Sequence, residues 1–290
     1  MISPWASRLI PSTWAEWWPV ALGFLGMYVP TYFRLAQDAW TTDDQAHGPI
    51  VLVISIWLLW RQRRKFLTLP KPDSRVAGSI ALALGVLVYI VGRSQSIPLL
   101  DVGSQIPVLV GIVLCVYGWP GLRIAWFPIL LMAFLVPLPG ILIDVVTAPL
   151  KEYVSVLTER FLYFAGYPIA RDGVTLAIGP YQLLVADACS GLHSMYSLLA
   201  VGLLYVYLTK PKGYWRKTVL VLSMVPIAFA ANLIRVIALV LITYHFGDAA
   251  GQGFMHGFAG VLLFSMALVL LFCLDGVLGL ASRSFSARTA

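Results

Sequence analysis

One arginine in the middle of an apolar segment is the first residue of this chain that chemistry must explain. Arg235 sits in AFAANLIRVIALVLITYHFG, about 12 residues or roughly 18 Å from Gly247 at the helical rise. Insertion scales put a mid-span arginine at a cost of about 2.5–3.5 kcal/mol, and that depth is too great for the side chain to snorkel to water. Such a group faces a bundle interior or a water-filled cleft, where a guanidinium can hold an anion or stabilise a developing negative charge. Asn232, the only asparagine in the chain, lies three residues earlier on much the same helix face. The bland alternative is an arginine that satisfies backbone carbonyls where a helix breaks.

Cys189 belongs to ADACSGLHSMYSLLAVGLLY, at the start of another apolar segment, flanked by Asp187 and Ser190. Either neighbour can cap a helix there. A thiol in a first helical turn feels the positive end of the macrodipole, which favours the nucleophilic thiolate. Taken alone, a cysteine at a helix start is more often a small packed residue. His193 follows four residues later, one turn along the same face, within reach of the thiol. His256, in GQGFMHGFAG, is surrounded by Gly251, Gly253, Gly257 and Gly260, which permit a bend that presents the imidazole. His245 reads as interfacial, and His47, in DDQAHGPIV beside several acids, as a residue that orients a loop.

The elements that must position these groups follow from composition. Of 290 residues, 60% are hydrophobic and only 11% charged, which excludes a disordered chain and a collagen. The net charge of +7 does not indicate nucleic acid, because the basic residues fall between apolar segments. The fold class is an all-α polytopic membrane protein with about eight transmembrane helices. The apolar segments run approximately 17–33, 46–60, 76–92, 98–118, 124–143, 190–208, 218–246 and 257–275. The first of them is read as a retained span and not a signal peptide. Residues 148–166 suit an interfacial or packed amphipathic helix, and Gly- and Pro-punctuated 167–187 suits a short extended or β-hairpin segment outside the hydrocarbon. No long polar segment interrupts the series, so 1–290 is expected to form one integral membrane domain.

Basic loops set the orientation. Residues 61–75 carry Arg61, Arg63, Arg64, Lys65, Lys71 and Arg75, and residues 209–217 carry Lys210, Lys212, Arg216 and Lys217. Placing both in the cytoplasm puts both termini there and turns 144–189 and 247–256 outward, so Cys189 and His256 share the extracytoplasmic side. Three cysteines without a spacing motif give no disulfide framework. There is no HExxH, CxxC, GxxxxGK[ST] or GxSxG, so neither a metal nor a nucleotide cofactor is expected.

ACSGLHS around Cys189, NLIRV around Arg235 and MHGFAG around His256 resemble, in order and spacing, the three motifs of the exosortase/archaeosortase family. DDQAHGPI and FLVPLPGIL…PLKEY fit the same family, and the resemblance covers nearly the whole chain. It implies a membrane-embedded cysteine protease or transpeptidase of the cell inner membrane. Such an enzyme cleaves exported proteins that end in a Pro-Glu-Pro-like (PEP-CTERM) motif, one transmembrane helix and a basic tail, in systems that accompany exopolysaccharide. It further implies Cys189 as nucleophile, Arg235 as transition-state stabiliser and His256 as proton-transfer group; His193, Asn232 and Ser190 are accessory candidates from their own placement beside these residues. The commoner form of the first motif has arginine where this chain has His193. The competing reading is a non-enzymatic membrane subunit for exopolysaccharide export or assembly, in which Arg235 binds an anionic ligand and Cys189 is incidental. Substrate proteins and membrane lipids are the expected partners; nucleic acid is not.

Overall fold

The computed structural model describes residues 12–41, 45, 47–69, 74–184, 192–211 and 213–288. The chain is mostly helical, with one small antiparallel sheet. Four stretches are long and apolar enough to cross a membrane among the described residues: Arg75–Ser94, Pro98–Leu135, Tyr214–Phe246 and Gly260–Leu280. Two compact units divide the chain, Met1–Pro137 and Leu138–Ala290.

The first unit contains α1 (Ser12–Gln37), α2 (Gly48–Phe66), α3 (Arg75–Ser94), α4 (Pro98–Gly103) and α5 (Gln105–Met132). In α3 the usual pattern is turned inside out. Gly78, Gly85 and Gly92, seven residues apart, are its buried residues, whereas Ile80, Leu84, Leu87 and Ile90 are exposed. Against lipid there is no hydrophobic gain from hiding aliphatic side chains, so small residues make the helix contact and branched ones face the tails. A Cβ added at Gly78, Gly85 or Gly92 would stand 2.4–2.7 Å from backbone atoms of Cys115, Val108 and Asp101.

The two segments expected at 98–118 and 124–143 are joined as one helical stretch with a break inside it. Gly118 takes φ 67° and ψ −166°, which is not helical. Gln105 donates from Nε2 to the Met132 carbonyl at 3.4 Å. In a straight helix those residues would be about 40 Å apart, so the chain doubles back at Gly118 into two antiparallel limbs. α2 runs alongside, its Phe66 ring 4.8 Å from Tyr117 and His47, just before its start, 3.3 Å from the Phe134 carbonyl. The return limb ends at Leu135, earlier than the sequence reading placed it. Pro137 and Pro139 impose extended backbone, and residues 140–143 open the next helix instead.

The second unit contains α6 (Gly140–Phe164), β1 (Ile169–Asp172), β2 (Thr175–Ile178), β3 (Tyr181–Leu184), α7 (Leu192–Thr209), α8 (Tyr214–Phe246), α9 (Asp248–Gly257) and α10 (Ala259–Arg288). The expected amphipathic segment is the C-terminal part of α6, which buries Val154, Thr158 and Leu162 and exposes Tyr153, Phe161 and Phe164. The expected hairpin is a three-stranded meander in the order β1-β2-β3. Two-residue loops close both turns, with Gly173 and Gly179 leading them at φ 59° and 54°. Leu176, Ile178 and Leu183 of the sheet pack with Val154 and Leu162 of α6 and Val236, Leu239 and Val240 of α8.

Replacing Gly85 with Leu should overpack the α3–α5 contact by about 1–3 kcal/mol or more. Gly23→Leu, at a position with no neighbour within 4 Å, should not. Thermal unfolding of the detergent-solubilised chain measures both; equal melting temperatures for the two variants contradict the packing account.

Candidate functional site

Arg235 lies on α8, 7% exposed, with Asn232 (6%) on the preceding turn and Thr243 fully buried two turns beyond. α8 has 33 residues, about 50 Å of helix, and α7, α9 and α10 pack along it. Which residues reach the level of Arg235 is a question of register, and two ends of the bundle answer it.

At the far end Asp275 of α10 is a shared acceptor. Arg216 of α8 places Nη2 2.7 Å and Nε 2.8 Å from its Oδ1, and the Tyr205 hydroxyl of α7 donates to Oδ2 at 2.7 Å. Midway, Ala228 and Ala231 pack with Leu263 and Ala267 of α10 and Leu198 of α7. Residue 216 is opposite 275, and 228 and 231 share one cluster with 263 and 267, so α8 and α10 are antiparallel. Equal steps along both bring Asn232 level with Ala259, where α10 begins.

α9 gives a second count. The chain turns at Gly247 (φ 87°), and Gly251 closes on Thr243, where any Cβ would overlap the threonine hydroxyl. α9 therefore returns antiparallel to α8, and its Phe254 joins the cluster of Val236, Leu239 and Val240. Arg235 is about 12 Å along α8 from Thr243, and residue 256 is about 7.5 Å along α9 from Gly251. Both routes put the backbone of residue 256 within about one helical turn of the Arg235 level.

α7 meets the same level. Gly202 faces Met224, a Cβ there lying 2.9 Å from the sulfur. Ten residues back along α7 and ten forward along α8 bring Leu192, the first helical residue, opposite Ile234. α7 begins and α9 ends where Arg235 stands, while α8 continues for another 11 residues, about 17 Å, with the sheet packed against that projection. The extra length of α8, and not a shift of Arg235 within it, sets that level.

The backbones of His193 and His256 are helical, in the first turn of α7 and the last turn of α9; Cys189 and Ser190 lie outside the described residues. His245 is exposed, its Nε2 3.3 Å from the Tyr167 hydroxyl.

Sequence reasoning passed over Asp101, which organises the first unit as Asp275 does the second. It is buried, accepts from Thr31 Oγ1 at 3.0 Å and Arg34 Nη2 at 2.6 Å, and lies 3.5 Å from Arg93 Nη1. Tyr28 and Ser104 hydrogen-bond beside it at 2.8 Å. A lone acid inside the apolar run IPLLDVGSQIP was the signal that could have found it.

A family model described as Transmembrane exosortase (Exosortase_EpsH) matches residues 40–273. The chain belongs to the transmembrane exosortase family. That stretch contains every residue named above from His47 to His256. Exosortases are generally membrane peptidases or transpeptidases acting on proteins with C-terminal sorting signals, and membership accounts for a multi-pass membrane chain. No curated protein and no solved structure matches the chain.

Cysteine pairs test the register in a chain whose three native cysteines are replaced by serine. Ala228→Cys with Leu263→Cys should form an intrachain disulfide under mild oxidation, read on a non-reducing gel after cleavage between α8 and α10. Leu220→Cys with Leu263→Cys, displaced by about 12 Å, should not. The reverse pattern breaks the alignment of Arg235 with residue 256.

Proposed function

We propose that the chain is a cysteine transpeptidase of the inner membrane that cleaves PEP-CTERM-type sorting signals through a thioester on Cys189. One observation carries the reading: the start of α7, the end of α9 and buried Arg235 share one level of the bundle. Cys189 stands three residues before α7 in the sequence, so three motifs far apart along the chain serve one centre.

The Cys189 thiolate attacks the carbonyl carbon of the scissile peptide, forming a C–S bond and a tetrahedral oxyanion. The Arg235 guanidinium, permanently charged and held in a largely water-free setting, stabilises that oxyanion. His256 protonates the departing amine as the C–N bond breaks. It then takes a proton from the incoming water or amine that resolves the thioester. The backbones of His193 and Asn232 border the same level, and these residues serve as accessory residues, with Ser190, next to Cys189 in the sequence, as a third.

The membrane placement follows the same lines. α1, α2, α3, the two limbs of α5, α7, α8 and α10 make eight crossings, with α6 and the sheet on the outer side and both termini in the cytoplasm. Lys217 at the cytoplasmic end of α8 is about 27 Å from Arg235 along the helix, close to the roughly 30 Å thickness of the hydrocarbon. Arg235 then stands at the outer boundary of the apolar layer, where an exported substrate presents the segment just outside its own transmembrane helix. The substrates are proteins ending in a Pro-Glu-Pro-like motif, that helix and a basic tail.

Cys189→Ala should leave a co-expressed substrate of this design at full length while the enzyme still inserts in the membrane. Continued processing by that variant, or turnover that survives alkylation of Cys189, rejects the nucleophile and favours an export subunit with Arg235 as an anion site.

Arg235→Lys should lower kcat by about 10²–10³-fold with KM little changed, because a lysine ammonium lacks the planar fork. His256→Ala should cost about 10²–10⁴-fold and His193→Ala much less. A larger loss at His193 exchanges their roles.

A further inference from the structure

Among the described residues, the sheet of the second unit has one edge engaged and one edge without a backbone partner. On β1, Arg171 places Nε 3.2 Å from Glu159 of α6, and Ile169 donates its N–H to the Tyr167 carbonyl. β3 is the other edge. Ile178 and Tyr181 flank the Gly179–Pro180 loop and exchange hydrogen bonds as the closing pair, and pairs then alternate along the ladder. Leu183 therefore bonds inward to Leu176, while Gln182 and Leu184 turn their N–H and C=O groups away from the sheet. Among the described residues no backbone hydrogen bond reaches those groups, and both residues are exposed.

The direction of β3 gives the edge its meaning. Its Tyr181 hydroxyl lies beside Gly247, at the C-terminal end of α8. Leu183 packs in the cluster of Val236, Leu239 and Val240. The strand thus leads back from the tip of α8 toward the level of Arg235. Leu184 is five residues before Cys189, a separation that extended chain spans in at most about 17 Å.

We propose that the free edge of β3 is the docking site of the substrate polypeptide, which adds there as a fourth strand and is guided along it to the cleavage level. An unpaired strand edge offers alternating donors and acceptors at a spacing that only extended polypeptide reproduces, the basis of β-augmentation. Main-chain pairing at Gln182 and Leu184 supplies affinity with little dependence on substrate sequence, which suits an enzyme serving many exported proteins. The inference rests on the transpeptidase reading for taking a polypeptide as substrate.

Disulfide trapping in membranes tests it without turnover. The full-length chain carries Cys115→Ser, Cys189→Ala, Cys273→Ser and Gln182→Cys. It is co-expressed with an exported protein bearing a Pro-Glu-Pro segment, a transmembrane helix and an arginine-rich tail. Single cysteines are moved through the ten positions ahead of that helix. Trapping at alternate substrate positions is the expected result. Absence of substrate adducts, adducts without alternation, or homodimers through Gln182→Cys alone overturn the proposal. Because Cys189 is absent, this outcome is independent of the nucleophile assignment, whose failure shows instead as processing by Cys189→Ala. With the active, detergent-solubilised enzyme, N-methylating the backbone of a synthetic substrate at alternate residues should raise KM about tenfold or more, and methylating the intervening residues far less. Equal tolerance at every position also overturns the docking mode.

Discussion

The Asp275 carboxylate, held between Arg216 and Tyr205, is the constraint on which the geometry of the second unit depends. Both charges are half-buried, so each needs the other's hydrogen bonds, and the shared carboxylate ties three helices at one fixed height. From that anchor the helical rise dictates which residues are level at the opposite end, and it delivers Arg235, the start of α7 and the end of α9 together. Gly202 against Met224 and Ala228 beside Leu263 keep the helices close along the way, so the alignment is not lost over the intervening turns.

Unequal helix lengths shape the surroundings of that level. α8 outruns its neighbours by about 17 Å, and a helix that long would expose a bare apolar rod if nothing covered it. The sheet and α6 cover one side with Leu176, Ile178, Leu183 and Val154. α9 covers another by folding back at Gly247. The fold-back needs the positive φ of Gly247 and the bare Cα of Gly251 against Thr243. A charged residue in an apolar helix is costly in isolation, and this arrangement buries Arg235 in a protein surround.

The first unit applies the same physics. Asp101 gathers Thr31, Arg34 and Arg93 from α1 and α3, and the α3 glycines let its backbone approach that of α4 and α5. Polar groups partnered inside and aliphatic side chains turned outward are what an apolar solvent selects. The exposed stripe of Ile80, Leu84, Leu87 and Ile90 is consistent with that environment.

Composition and segment pattern alone determined that the chain is mostly helical with apolar spans and that the Gly- and Pro-punctuated stretch after α6 is extended, as β1, β2 and β3 are; resemblance of short segments pointed to the family whose model matches. Those are properties of single segments, and periodicity or residue type suffices to read them. The reversal at Gly118 was legible only as a gap between apolar runs, and the third strand only as a Gly- and Pro-rich tract, because both depend on which distant residues the chain meets. Asp101 and Asp275 passed unnoticed because a lone acid has no pattern until its partners are known. Where the neighbouring helices stop relative to Arg235 was not legible for a related reason: a span's hydropathy gives its own limits and nothing of its neighbours'. Depth in a bundle is a relation between helices, so the tertiary structure decided it.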